Sequence, residues 1–104
     1  MPYADPLTEP ELADALALLP EWSREGRVIR RVVSTSDFRA AVGLVNAVAD
    51  AAEAADHHPD IAITRYRNVN FELTTHAAKA LTRRDIDLAT TIEQIVSNAS
   101  EASG

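Results

Sequence analysis

Residues 57–76 read HHPDIAITRYRNVNFELTTH, and the fold turns on this stretch. Val69, Phe71, Leu73 and Thr75 alternate with Asn70, Glu72 and Thr74, a period of two that gives a strand one apolar and one polar face. Ile61 to Tyr66 is a second strand-like run, and Arg67-Asn68 between the two offers a two-residue turn. The pattern predicts an antiparallel hairpin. With that turn Tyr66 faces Val69 and His76 faces Pro59, so the open end of the hairpin collects His57, His58 and His76.

Working outward, Ser34-Thr35-Ser36 offers an N-cap, with Asp37 favourably placed in the first turn of a helix. Phe38, Val42, Val45, Ala49 and Ala52 then share one helical face, which predicts a long helix over about 37–55. Pro59 ends it, because the residue before a proline avoids helical geometry. Residues 27–34 are rich in Val and Ile and read as a strand, although Arg30 and Arg31 blur the alternation. Before them lie a short extended segment at Trp22 and a tight turn at Arg24-Glu25-Gly26.

At the start of the chain, Thr8 and Glu11 have capping-box spacing, and Pro10 is tolerated in the first turn. Leu12, Leu16 and Leu19 follow on one face, predicting a short helix over about 9–19 that Pro20 stops. Downstream, Thr82 caps a last helix with Asp85 at the capping-box position, and Ile86, Ala89, Ile92 and Val96 mark its buried stripe. Asn98 to Gly104 is small and polar and is expected to fray. The order is α-β-β-α-β-β-α. This is an α+β fold: a four-stranded antiparallel sheet with three helices packed on one face.

Composition narrows the function. The chain has 104 residues, the size of one domain, with an ordered core expected at about 7–97. It carries no cysteine, so a disulfide scaffold, a thiolate metal site and a Cys nucleophile are excluded. Ten basic against sixteen acidic residues give a net charge of −6. No concentrated cationic surface for a phosphate backbone is expected, so nucleic acid is not a predicted partner. No apolar run approaches the roughly 20 residues of a membrane span, and no signal-peptide pattern opens the chain. A cytoplasmic protein is the expectation.

Imidazole exchanges protons near neutrality. Three of them, with Asp85 nine residues after His76 and Glu53 one helical turn before His57, suit general acid–base chemistry without a covalent intermediate. Three histidines and a carboxylate also suit zinc, but no His-Glu-x-x-His helix and no i, i+4 histidine pair is present. A serine hydrolase would want a Gly-x-Ser-x-Gly turn, which the chain lacks. Surface histidines without a role are the bland alternative. On spacing alone these readings stay open, with acid–base chemistry first.

The segments Glu53-x-x-x-His57-His58-Pro59, Tyr66-x-x-Val69-x-Phe71-x-Leu73-x-Thr75-His76 and Leu81-Thr82-x-x-Asp85-x-x-Leu88-Ala89 closely resemble the pterin-4a-carbinolamine dehydratases. Leu19-Pro20-x-Trp22, Gly26, Asp37-Phe38 and Val45-Asn46 extend the resemblance to roughly residues 7 to 97. It implies dehydration of 4a-hydroxytetrahydropterin to quinonoid dihydropterin and water, in recycling of the tetrahydropterin used by an aromatic amino-acid hydroxylase. It further implies no metal and no cofactor, and a homodimer or homotetramer. His57, His58, His76 and Asp85 then correspond to catalytic residues, His57 and His76 as the acid–base pair. His58, Glu53, Pro59 and Thr75 correspond to the substrate-binding set, with Glu53 expected to support His57. The same resemblance leaves an alternative, a catalytically weak interaction or assembly module.

Two departures from the family pattern carry structural expectations. Many relatives have one residue fewer between His-His-Pro and the aromatic at Tyr66, so the extra residue within 61–65 is expected in a β-bulge. Many carry a glycine within the pair that is Lys79-Ala80 here, and a side chain at positive φ would cost about 1 kcal/mol. Trp22 is read as a core residue, Tyr66 as a cross-strand aromatic, and Arg83 and Arg84 as solvated surface, though they oppose the dipole of their helix.

Overall fold

The computed structural model describes residues 5–103. Seven elements follow one another: α1 (Glu9–Ala17), β1 (Ser23–Glu25), β2 (Val28–Ser34), α2 (Phe38–Ala55), β3 (Asp60–Thr64), β4 (Asn68–Leu73) and α3 (Arg83–Ser103). The strands form one antiparallel sheet in the order β1-β2-β4-β3. The predicted α+β order is the observed one.

Strand β4 carries the alternation that the sequence displays. Val69, Phe71 and Leu73 are buried, and they pair with Val33, Arg31 and Ile29 on β2 and, for the first two, with Ile63 and Ile61 on β3. That face is covered by helix residues, among them Leu12, Leu44, Val48, Ala89 and Ile92. Arg30, Val32, Asn70 and Glu72 lie on the other face. The blurred alternation at Arg30-Arg31 resolves accordingly. Arg30 bonds Glu72 (2.8 Å) and Glu25 (3.1 Å). Arg31, on the helix side, donates from Nε to Glu93 Oε1 of α3 at 2.6 Å, and the indole N–H of buried Trp22 donates to the same oxygen at 2.8 Å.

The hairpin differs from its predicted register. Thr64 opposes Asn68 and Ile61 opposes Phe71, so the turn is Arg65-Tyr66-Arg67 rather than Arg67-Asn68. The predicted register would set Ile63 against Glu72. The observed one sets Ile63 against Val69 and Ile61 against Phe71, apolar against apolar, and that match outweighs the turn preference. Arg65 (φ 49°) and Tyr66 (φ 58°) both enter the left-handed region to close the turn. The five pairs from Asp60–Glu72 to Thr64–Asn68 are unbroken. No bulge lies within 61–65, contrary to the expectation. Tyr66 is therefore an exposed tip residue beneath the Arg67 guanidinium, not a cross-strand aromatic.

Helix α1 begins with the predicted capping box: Thr8 N donates to Glu11 Oε1 (2.8 Å), and Glu11 N to Thr8 Oγ1 (3.3 Å). Helix α2 is capped by Asp37 itself, whose Oδ1 accepts from Ala40 N at 2.8 Å, while Thr35 Oγ1 donates to the carbonyls of Asp37 and Arg67. Its buried face is Ala41, Leu44, Val48 and Ala52, leaving Phe38 and Val42 exposed. Two apolar stripes compete on this helix. The stripe without the bulky Phe38 turns inward, and its Ala41 and Ala52 let α2 approach the sheet and α3 closely. Helix α3 buries Ile86, Ala89 and Ile92 as expected. It continues to Ser103 instead of fraying from Asn98, as no Pro or Gly interrupts it.

Candidate active site

Four pieces of chain meet at one end of the molecule: the end of α2, residues 57–59, the loop after β4 and the start of α3. Helix α2 terminates at Asp56 in the left-handed conformation (φ 51°, ψ 42°). His57 N donates to Ala52 O (3.1 Å) and Asp56 N to Glu53 O (3.2 Å), which satisfies the last carbonyls of the helix. The reversal sends consecutive histidines to different partners.

His58 returns to the last turn of α2, where its Nε2 meets Glu53 Oε2 at 2.5 Å, both side chains largely exposed. Glu53 thus serves His58 rather than the expected His57. The imidazole of His57, 11% exposed, meets Asp85 Oδ1 through Nε2 at 2.6 Å. Pro59 is half-buried and leads into β3.

Asp85 is fully buried. A carboxylate in that position is costly unless its oxygens are hydrogen-bonded, and here they are. Oδ2 accepts the Thr75 hydroxyl (2.8 Å) and the Thr82 N–H (2.9 Å), while Oδ1 faces His57. The first-turn position on α3 adds the favourable end of the helix dipole. Thr82 caps α3 as predicted, its Oγ1 accepting from Arg84 N at 3.2 Å. Its hydroxyl also pairs with that of Thr75 at 2.8 Å, between two side chains that are 0% and 6% exposed.

The loop between β4 and α3 is a small β-like closure. Thr75 N donates to Ala80 O (3.1 Å) and Ala80 N to Thr75 O (3.4 Å). His76 opens the intervening turn and is exposed, directly after buried Thr75. Lys79 stands at φ 53°, the left-handed position at which a side chain is strained. Arg84 is half-buried instead of solvated, and its Nη1 donates to Asp56 O at 3.3 Å, tying the start of α3 to the end of α2 beside His57.

The structure therefore joins His57, Asp85 and Thr75 through hydrogen bonds, pairs His58 with Glu53 next door, and sets His76 on the adjoining turn. Sequence reading missed Thr82 beyond its capping role, and it missed Arg84. The Thr82-x-x-Asp85 spacing was the available signal, since it brings the Asp85 carboxylate to the Thr82 backbone. Among the described residues no three His, Cys, Asp or Glu side chains are grouped to hold a metal ion, and no helix is long and apolar enough to cross a membrane. A groove of about 550 Å³ lined by Val33, Thr35, Gly43 and Val96 lies at the other ends of α2 and α3, away from these residues. Chemically, the site offers one imidazole braced by a buried carboxylate and two exposed imidazoles for proton exchange and polar contact.

Known proteins match this chain along most of its length. The family model described as Pterin 4 alpha carbinolamine dehydratase matches residues 5–95. A protein from Nocardia farcinica named for pterin-4-alpha-carbinolamine dehydratase is 52% identical over 89 residues, covering 86% of this chain and 93% of its own. One from Acidobacterium capsulatum, named likewise, is 49% identical over 90 residues, 86% of this chain and 97% of its own. Among solved structures, a Brucella melitensis protein described as a transcriptional coactivator/pterin dehydratase superposes with a TM-score of 0.83 at 33% identity, over 88% of this chain and 99% of that one. A pterin dehydratase-like protein described as a RuBisCO assembly factor in the alpha-carboxysome has a TM-score of 0.60 at 14% identity, over 72% and 86% of the two chains, a likeness of fold alone.

Proposed function

The chain belongs to the pterin-4-alpha-carbinolamine dehydratase family, and from that membership we propose that it converts 4a-hydroxytetrahydropterin to quinonoid dihydropterin and water by histidine acid–base catalysis. The family supports a dehydratase role. The observation that carries the histidine mechanism is the 2.6 Å contact between His57 and buried Asp85. In the reaction a proton leaves ring N5, the C4a–O bond breaks, a C4a=N5 double bond forms, and the departing hydroxyl takes up a proton and leaves as water. Two proton carriers are needed, one at each end of the elimination. His57 and His76 take these roles. His58, steadied by Glu53, holds the pterin ring, and Asp85 orients His57; Pro59 shapes the segment that presents both histidines.

The substrate is the carbinolamine that an aromatic amino-acid hydroxylase releases from its tetrahydropterin, which gives the protein a place in pterin recycling in the cytoplasm. We place it as a homodimer or homotetramer. Its β3 edge and the exposed Phe38 and Val42 of α2 are the surfaces in favour of assembly; light scattering that stays at the 11.3 kDa monomer mass at high concentration would remove this part. The alternative reading as an assembly module draws on a structure that shares only the fold, and no side chain of this site favours it. Stopped-flow mixing of fresh 4a-hydroxytetrahydropterin with the protein tests the proposal: quinonoid dihydropterin forms faster than without protein, and an unchanged rate at micromolar protein refutes the assignment.

A further inference from the structure

The protons around Asp85 can be accounted for one by one. Two donors converge on Oδ2, the Thr75 hydroxyl and the Thr82 N–H, while Oδ1 faces His57 Nε2 at 2.6 Å. A carboxylate so surrounded only accepts, so the proton of the 2.6 Å contact belongs to His57 Nε2. Neutral His57 is then the Nε2–H tautomer, and its lone pair is on Nδ1. The hydroxyls run in one direction as well. Thr82 Oγ1 accepts the Arg84 N–H, Thr75 spends its single proton on Asp85, and so the Thr82 hydroxyl proton points to Thr75 Oγ1. Each donor in the row polarises the next towards the carboxylate.

Burial separates this role from ligand contact. Thr75 is 6% and Thr82 0% exposed, so neither hydroxyl is available to a pterin in solution, although Thr75 was expected in the binding set. We propose that Thr75 and Thr82 are positioning residues for the dehydration, which act through Asp85 to hold His57 as the Nε2–H tautomer and leave Nδ1 as the nitrogen that takes the substrate proton. This rests on the dehydratase reading for its kinetic part but not for its tautomer part.

The test pairs two readouts on Thr75→Val, Thr82→Val, Thr75→Ser and Thr82→Ser. In the ligand-free protein, imidazole ¹⁵N–¹H correlation spectra at about pH 8.5, above the usual imidazole range, report the tautomer, with His57 signals assigned by their loss in His57→Gln. Wild type and both Ser variants show Nε2–H at His57, and the Val variants, in which the carboxylate is no longer held facing Nε2, show a mixture of tautomers. In stopped-flow turnover, Thr75→Val lowers kcat at least about tenfold with KM within about twofold, the pattern of a lost charge-assisted bond felt only through the base. Ser restores kcat to within about threefold. A wild-type His57 in the Nδ1–H form overturns the proposal even if the Val variants fail to fold. A Thr75→Val protein with raised KM and intact kcat also overturns it, since that is the signature of direct substrate contact. Should wild type prove inactive on the carbinolamine, the dehydratase reading fails while the tautomer spectra still decide whether the hydroxyl row positions His57.

Discussion

Replacing Asp85 by Asn exchanges one oxygen for an NH₂ group and inverts the proton arrangement around His57. The two donors on Oδ2, Thr75 Oγ1 and Thr82 N, hold the amide oxygen on their side, so the amide NH₂ takes the Oδ1 position facing His57 Nε2. A donor then meets a donor. The imidazole relieves the conflict by carrying its proton on Nδ1 and accepting through Nε2, which removes the lone pair from the working nitrogen. General acid–base groups contribute about 10²- to 10⁴-fold. The carbinolamine also loses water unaided, so the loss in kcat lies near the lower bound, about 100-fold, or about 2.7 kcal/mol of transition-state stabilisation. Stability changes less. Loss of the charge-assisted bond costs about 1–3 kcal/mol, and relief of the buried charge offsets part of that. The assay is stopped-flow turnover with Tm measured in parallel. With Asp85 acting through His57 as proposed, Asp85→Asn/His57→Ala is expected to fall little below His57→Ala alone. A folded Asp85→Asn protein with wild-type kcat refutes the reasoning.

Glu53→Gln weakens the brace on His58, so KM rises several-fold while kcat changes less than about threefold; steady-state kinetics with unchanged KM would contradict the ring-holding role. Lys79→Gly removes a side chain from φ 53° and raises stability by about 1 kcal/mol in urea denaturation, to be contradicted by an unchanged midpoint. Hydrogen bonds from the Thr8 N–H and then the Thr8 hydroxyl hold Glu11 below the usual carboxylate range. A lowered folded value means stability present above the unfolded glutamate value of about 4.3 and lost as pH falls through the folded one. The Tm advantage of wild type over Glu11→Ala therefore shrinks in acid below that range; an advantage that grows on acidification has the wrong sign.

Much of the fold was legible because it rests on local pattern. The period of two through Val69, Phe71 and Leu73, and the Thr8–Glu11 capping box, each specify one outcome without tertiary information. The hairpin register was not legible from its turn. Arg67-Asn68 is an acceptable turn, but only the meeting of Ile61 with Phe71 and Ile63 with Val69 selects the three-residue alternative. Helix α2 offered two apolar stripes, and which one turns inward depends on how closely α3 and the sheet approach. At the site, the gathering of the histidines was readable, though through a register the structure replaces. Which carboxylate meets which imidazole was not, because the left-handed Asp56 sends His57 to Asp85 and returns His58 to Glu53. The Thr75–Thr82 contact joins residues on either side of a turn, and no periodicity announces it.

We propose His57 and His76 as the carriers of the two protons of the elimination. Single-turnover stopped flow with fresh 4a-hydroxytetrahydropterin, comparing wild type, His57→Ala, His76→Ala and the double variant, tests it most directly. Each single variant is expected to lose at least about 100-fold, with the double variant little below the worse of the two if the protons move in concert. A folded His76→Ala protein that keeps wild-type kcat and KM would contradict it.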